Sequence, residues 1–126
     1  MKQEPQELLL KDICARLPYG IKASYYGVEE ERETWDEIEG ITLDEDFGGY
    51  VDIGQYSLPI ERIKPYLFPM SSMTDEQFKE YWELEHSGDM EHLSIPALDW
   101  LNKNNFDYRG LIPMGLALDA TRLDIY

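Results

Sequence analysis

The sequence predicts an α+β fold: a short N-terminal helix, a small bent antiparallel sheet forming a partial barrel, and two or three C-terminal helices packed with it. Three observations lead there. Residues 5–17 carry apolar side chains at four-residue spacing, and residues 21–63 alternate with a period of two between glycine-bearing turns. After residue 74 the chain returns to helical spacing behind a capping signal. At 126 residues one domain is expected, residues 1–63 giving the first helix and the sheet, residues 64–126 an arm, helices and a return strand.

Each element has its own warrant. Leu9, Ile13 and Leu17 line one face of the first helix, Pro5 fits a first turn, and Pro18-Tyr19-Gly20 ends it. Ile21, Ala23 and Tyr25 alternate with Lys22, Ser24 and Tyr26 in a first strand, and Gly27 opens a hairpin loop. Residues 34–43 form a second strand with Trp35, Ile38, Ile41 and Leu43 as its apolar members. Its pattern slips by one near Gly40, the mark of a bulge. Residues 44–49 read as a turn, residues 50–57 as one third strand, and residues 58–63 as a helical turn or short edge strand. Residues 64–70, with Pro65 and Pro69, read as an extended apolar arm against the sheet. Thr74 with Gln77 forms a capping box for a helix bearing Phe78, Tyr81 and Trp82 as its apolar face. Pro96 opens another helix, and residues 117–125 hold a last strand.

The charge is segregated. Ten acids stand against Arg32 in residues 29–46 and seven against Lys79 in residues 75–91, and these nets of −9 and −6 account for the whole −15. A field of that sign over one or two surfaces opposes phosphate backbones and anionic membranes, so neither direct nucleic-acid binding nor membrane binding is expected. It favours a basic protein or peptide. The candidate acidic face comprises Glu29, Glu30, Glu31, Glu33, Asp36, Glu37, Glu76, Glu80 and Glu83. If the two windows lie side by side, the same acids could mimic a nucleic acid and occupy the basic groove of a DNA- or RNA-binding protein. Tyr26, Tyr50 and Tyr56 are candidates for an aromatic surface, because alternate strand residues face opposite ways. Rimmed by acid, such a surface suits a basic peptide.

Catalytic signatures are weak, and no cofactor is expected. The one cysteine, Cys14, excludes an internal disulfide and lies in an apolar stretch where a buried, inert thiol is expected. His86, Asp89 and His92, with Glu91, are the one cluster of metal-ligand types, and they make a small metal-binding protein or enzyme the rival reading. Asp99, Asp107 and Asp119 lie among apolar residues, and Asp107 with Arg109 reads as an ion pair or turn cap. No Gly-x-Ser-x-Gly elbow is present, and neither Gly48-Gly49 nor Gly110 with Gly115 has phosphate-loop spacing. The first seven residues lack the basic start of a signal peptide, which makes a cytoplasmic location the expectation.

Two stretches carry a resemblance: residues 63–74 (IKPYLFPMSSMT), and residues 98–101 (LDWL) with 106–112 (FDYRGLI) and 115–117 (GLA). They resemble a family of short uncharacterised proteins of gut anaerobic bacteria and their prophages or mobile elements. The resemblance implies no catalytic residue. It implies a phage or mobile-element accessory role, and with the charge pattern the expectation is a non-catalytic acidic protein that binds a basic protein surface.

Overall fold

Pro5–Arg16 form α1, with Pro5 in its first turn, Glu7 near its N-terminus and Arg16 in its last turn, each placed favourably for the helix dipole. Its inner face sets Leu9 and Ile13 against the sheet, and full burial of such side chains stabilises by about 1.5–3 kcal/mol each. A 3-10 turn, Leu17–Tyr19, follows and ends at Gly20 in the left-handed region. The structure is a computed structural model and describes residues 5–44, 48–86 and 95–126.

The sheet is an antiparallel meander of β1 (Lys22–Gly27), β2 (Arg32–Asp44), β3 (Gly48–Ile53) and β4 (Tyr56–Pro59). The first half of β2 pairs with β1 and the second half with β3. The register shifts between Ile38 and Gly40, where the sequence pattern slips. After a 3-10 turn at Ile60–Arg62, β5 (Lys64–Pro69) returns antiparallel to β1. Two short strands, β6 (Phe106–Asp107) and β7 (Leu118–Asp119), then run parallel to β5. The architecture is α+β, with a seven-stranded sheet that is mixed and not closed. Only its first five strands match the expected antiparallel arrangement.

Three elements differ from the sequence reading. Residues 50–57 are two strands, because Gly54 takes φ +59° and turns the chain. A Cβ there would stand 2.5 Å from Tyr25 Oη and 2.9 Å from Asp36 Oδ2, so the turn requires glycine. The arm is β5, a strand bonded to β1, β6 and β7. Its prolines sit at the strand ends, where a missing N–H is tolerated. The last strand shrinks to Leu118–Asp119.

α2 (Asp75–Glu85) starts at the predicted capping box: Gln77 N–H donates to Thr74 Oγ1 at 3.1 Å and Thr74 N–H to Gln77 Oε1 at 2.9 Å. α3 (Ile95–Lys103) packs against it, and Tyr81 meets Trp100 with ring centroids 5.9 Å apart. The apolar face expected of α2 is only partly used. Tyr81 and Leu84 pack on the Trp100–Phe106 cluster, whereas Phe78 is 57% and Trp82 49% exposed. Contact with α3 runs along one line of the helix, and the residues beside that line stay outside.

α1 is locked to the C-terminal half by buried charge. Arg16 and Asp12 are both fully buried one turn apart, and Arg16 donates from Nε and Nη2 to the two carboxylate oxygens at 2.9 and 3.0 Å. Arg16 Nη2 also reaches Phe106 O at 2.6 Å. Arg109 Nε faces Asp12 Oδ1 at 3.2 Å, and both guanidinium groups lie over the Tyr108 ring. Asp107 does not pair with Arg109. It accepts from Leu111 N–H at 2.8 Å and Ile112 N–H at 2.9 Å, which is a turn cap.

Cys14 is exposed rather than buried, one residue round the helix from Ile13. Partial desolvation pushes its thiol up, which favours the protonated form. No helix among the described residues is long and apolar enough to cross a membrane.

Candidate functional site

The register of β1 and β2 builds one outward face. Lys22 lies opposite Glu37, Ser24 opposite Trp35, and Tyr26 opposite Glu33. Because strand side chains alternate, these six share a side, and Ala23 and Tyr25 point into the core. Tyr26 and Trp35 are exposed, with Glu33 and Glu37 beside them. Lys22 Nζ lies over the rings of Trp35 and Tyr126 at 5.2 and 5.4 Å and donates to Ile125 O at 2.7 Å. The face thus already holds one lysine in a slot made from two aromatic rings.

At the end of this face lies a cavity of about 630 Å³, within the range typical of small-molecule sites. It forms where the pairing of β1 with β5 stops at Ala23 and Pro65. Beyond that point the Tyr126 hydroxyl bridges the strands, accepting from Lys22 N–H and donating to Tyr66 O, both at 2.9 Å. Phe68 and Phe106 supply apolar wall, Glu37 enters from β2, Gln77 from α2, and Lys103 and Asn105 from the end of α3. Of the two acidic segments, the first brings the Glu37 carboxylate to this cavity and the second brings the neutral Gln77.

Comparison with family models, curated proteins and solved structures returns no match.

The acids are divided among several jobs. Glu29, Glu30 and Glu31 sit in the β1–β2 turn, where Glu29 accepts from Gln55 at 2.8 Å and Glu30 from Tyr56 at 2.9 Å. Asp36 turns away from the outward face and accepts from the Tyr25 hydroxyl at 2.5 Å. Glu76, Glu80 and Glu83 are exposed on α2, on the face opposite Phe78 and Trp82. Of the aromatic candidates, Tyr26 is open to solvent. Tyr50 is half-buried, and Tyr56 packs edge-on against Tyr25 at 5.7 Å while its hydroxyl ties the turns together. Trp35, Phe78 and Trp82 are exposed as well, although their spacing in the sequence predicts apolar faces for all three.

His86 stacks on Trp82 at 4.1 Å between ring centroids, with Nδ1 2.8 Å from Trp82 O. Asp89 and His92 lie outside the described residues. Among the described residues no group of three or more metal-ligand side chains converges. Asp99 and Asp119 are exposed, and hydrogen bonds from Thr121 hold the Asp119 carboxyl below the usual range.

Two tyrosines make the fold sensitive to alkali. Burial of its hydroxyl pushes Tyr126 up to about 12, and burial with the bond to Asp36 pushes Tyr25 up as well. A neutral tyrosine favoured by the fold gives stability that is complete below pH 10, the ordinary tyrosine value, and is lost as pH rises through about 12. The melting temperature is expected to fall across this window, and less steeply in Tyr126→Phe. Parallel profiles for the two proteins would refute this role for Tyr126.

Proposed function

We propose that this chain is a non-catalytic interaction protein that docks on a basic, partly apolar segment of another protein. The observation that carries the reading is the outward pair Phe78 and Trp82, one turn apart on α2, with Asp75 and Glu85 one turn to either side and the row of Glu76, Glu80 and Glu83 on the opposite face of the helix. Large exposed aromatics grouped on one helix mark interaction surfaces, and buried aromatic anchors dominate binding energy when such surfaces are covered. The acids of the same helix select the partner: lysine and arginine are attracted, and a second copy of a −15 chain is repelled. Tyr26 and Trp35 between Glu33 and Glu37 repeat the same composition on the sheet. The aromatics also favour docking over nucleic-acid mimicry, for which an uninterrupted acidic row would serve better. The resemblance to phage and mobile-element proteins supports an accessory role of this kind.

The test uses a defined probe, a fluorescein-labelled amphipathic helical peptide of lysine and leucine, with polylysine as control. The double variant Phe78→Ala/Trp82→Ala is expected to weaken peptide binding by about tenfold or more, as loss of hot-spot residues does. Its melting temperature should stay close to the parent value, because both side chains are exposed. Binding that ignores the double variant but vanishes in 0.5 M salt would replace docking with plain electrostatic attraction, the behaviour of a mimic.

A further inference from the structure

We infer that the segment docking on α2 is a single basic amphipathic helix, laid along an outer stripe made of Asp75, Phe78, Trp82 and Glu85. The inference rests on the docking reading above and adds the partner's shape and the order of its side chains. The four residues follow one another at spacings of 3, 4 and 3. That is the rhythm of the a and d positions of a heptad, the seam along which one helix meets another. At a rise of 1.5 Å per residue the stripe is about 15 Å long, nearly three turns.

The surroundings leave this seam open. Tyr81 and Leu84, on one flank, pack on the Trp100 and Phe106 cluster of the protein itself. Lys79 and His86 lie on the other flank, and His86 stacks on one face of Trp82 with ring centroids 4.1 Å apart. Trp82 is still 49% exposed and Phe78 57%. Asp75 is exposed at the start of the stripe, and at its end the Tyr81 hydroxyl bonds the Glu85 carboxylate. A carboxylate so held keeps further lone pairs for a lysine or arginine.

Charge order selects the occupant. Acid, aromatic, aromatic, acid is complementary to base, apolar, apolar, base at the same spacing on a facing helix. The order reads the same in both directions, so a second copy sets acid against acid whether it runs parallel or antiparallel. An extended segment fits less well. The backbone of α2 is bonded within the helix and offers no ladder to a strand, whereas a helix satisfies its own backbone.

Fluorescence anisotropy on the intact protein tests this with labelled, end-blocked peptides on an alanine–glutamine background. The matched peptide carries Lys, Leu, Leu and Lys at the spacing of the stripe. The exchanged peptide carries Leu, Lys, Lys and Leu at the same positions, and a third interrupts the matched order with a central proline. The matched peptide is expected to bind about tenfold tighter than the other two. Asp75→Lys/Glu85→Lys should weaken it by about the same factor, and a peptide with glutamate for both lysines should bind that variant in its place. Such a reversal also shows that the variant is folded. Equal binding of the matched peptide and either comparison peptide would overturn the helix and its charge order. Docking on Phe78 and Trp82 would still stand if Phe78→Ala/Trp82→Ala weakened all three. Binding of none, or binding that ignores that double variant, would overturn both readings. A dimer in sedimentation velocity that is lost in the double variant would give the stripe to a second copy and overturn the assignment.

Discussion

Arg16→Ala is expected to destabilise the protein by about 3–5 kcal/mol, the range seen when one partner of a buried ion pair is removed. A domain of this size has about 5–15 kcal/mol of stability in all, so the variant should sit near its unfolding threshold. The guanidinium neutralises the fully buried Asp12 and also donates to Leu101 O and Phe106 O, which lie 85 and 90 residues away. Arg109 remains beside Asp12 in the variant and limits the loss. The informative companion is Asp12→Leu/Arg16→Met, which removes both charges at once. Replacing a buried pair with apolar residues is often close to neutral, so the double variant should be more stable than Arg16→Ala. Urea unfolding of the three proteins measures this, and a single variant as stable as the parent would show that the cluster does not hold α1 in place.

Asp107→Ala is expected to lose about 2–4 kcal/mol by stranding the Leu111 and Ile112 N–H groups, each worth about 1–3 kcal/mol when buried without a partner. The loss spreads, because Leu111 is fully buried in the main core and its position depends on that turn. Asp107→Asn keeps one acceptor and should fall between parent and alanine in the same unfolding assay. Equal stability of the asparagine variant and the parent would show that one acceptor suffices.

Local signals were legible in the sequence. The capping box at Thr74 and Gln77 and the slip near Gly40 depend on residues a few positions apart, and both stand where the pattern put them. What failed was long-range. Pro65 and Pro69 made residues 64–70 look like an arm, yet the prolines fall where β5 can spare an N–H, and whether a partner strand lies alongside is decided by β1, forty residues earlier. Phe78, Tyr81 and Trp82 have ideal spacing for a buried face. Spacing gives the width of an apolar stripe but not how much of it a neighbouring helix covers, and α3 covers only the Tyr81 side.

The same limit hid the buried charges and the cavity. Asp12 and Arg16 look like an ordinary exposed pair one turn apart, since nothing nearby reveals that Phe106 and Leu101 close over them. The cavity draws Lys22, Phe68, Lys103 and Asn105 from segments with no shared motif. Only Asn105, an asparagine just past a helix end, fits a recognisable local preference for the left-handed region.

The clamp on Arg16 has a consequence for the order of events during synthesis. Contacts separated by so much chain slow folding, because the intervening loop must close before they form. Until residues 101–109 leave the ribosome, α1 has neither the carbonyls nor the second guanidinium that complete its polar centre. Its apolar face can find the meander early, but Lys22 waits for Ile125 and Tyr126 in the same way. A nascent chain stopped after β5 therefore displays a sheet with one unfinished edge and a helix with an incompletely partnered ion pair. Those are the features that chaperones and other chains engage, so the last quarter of the sequence governs how long the protein is exposed to them.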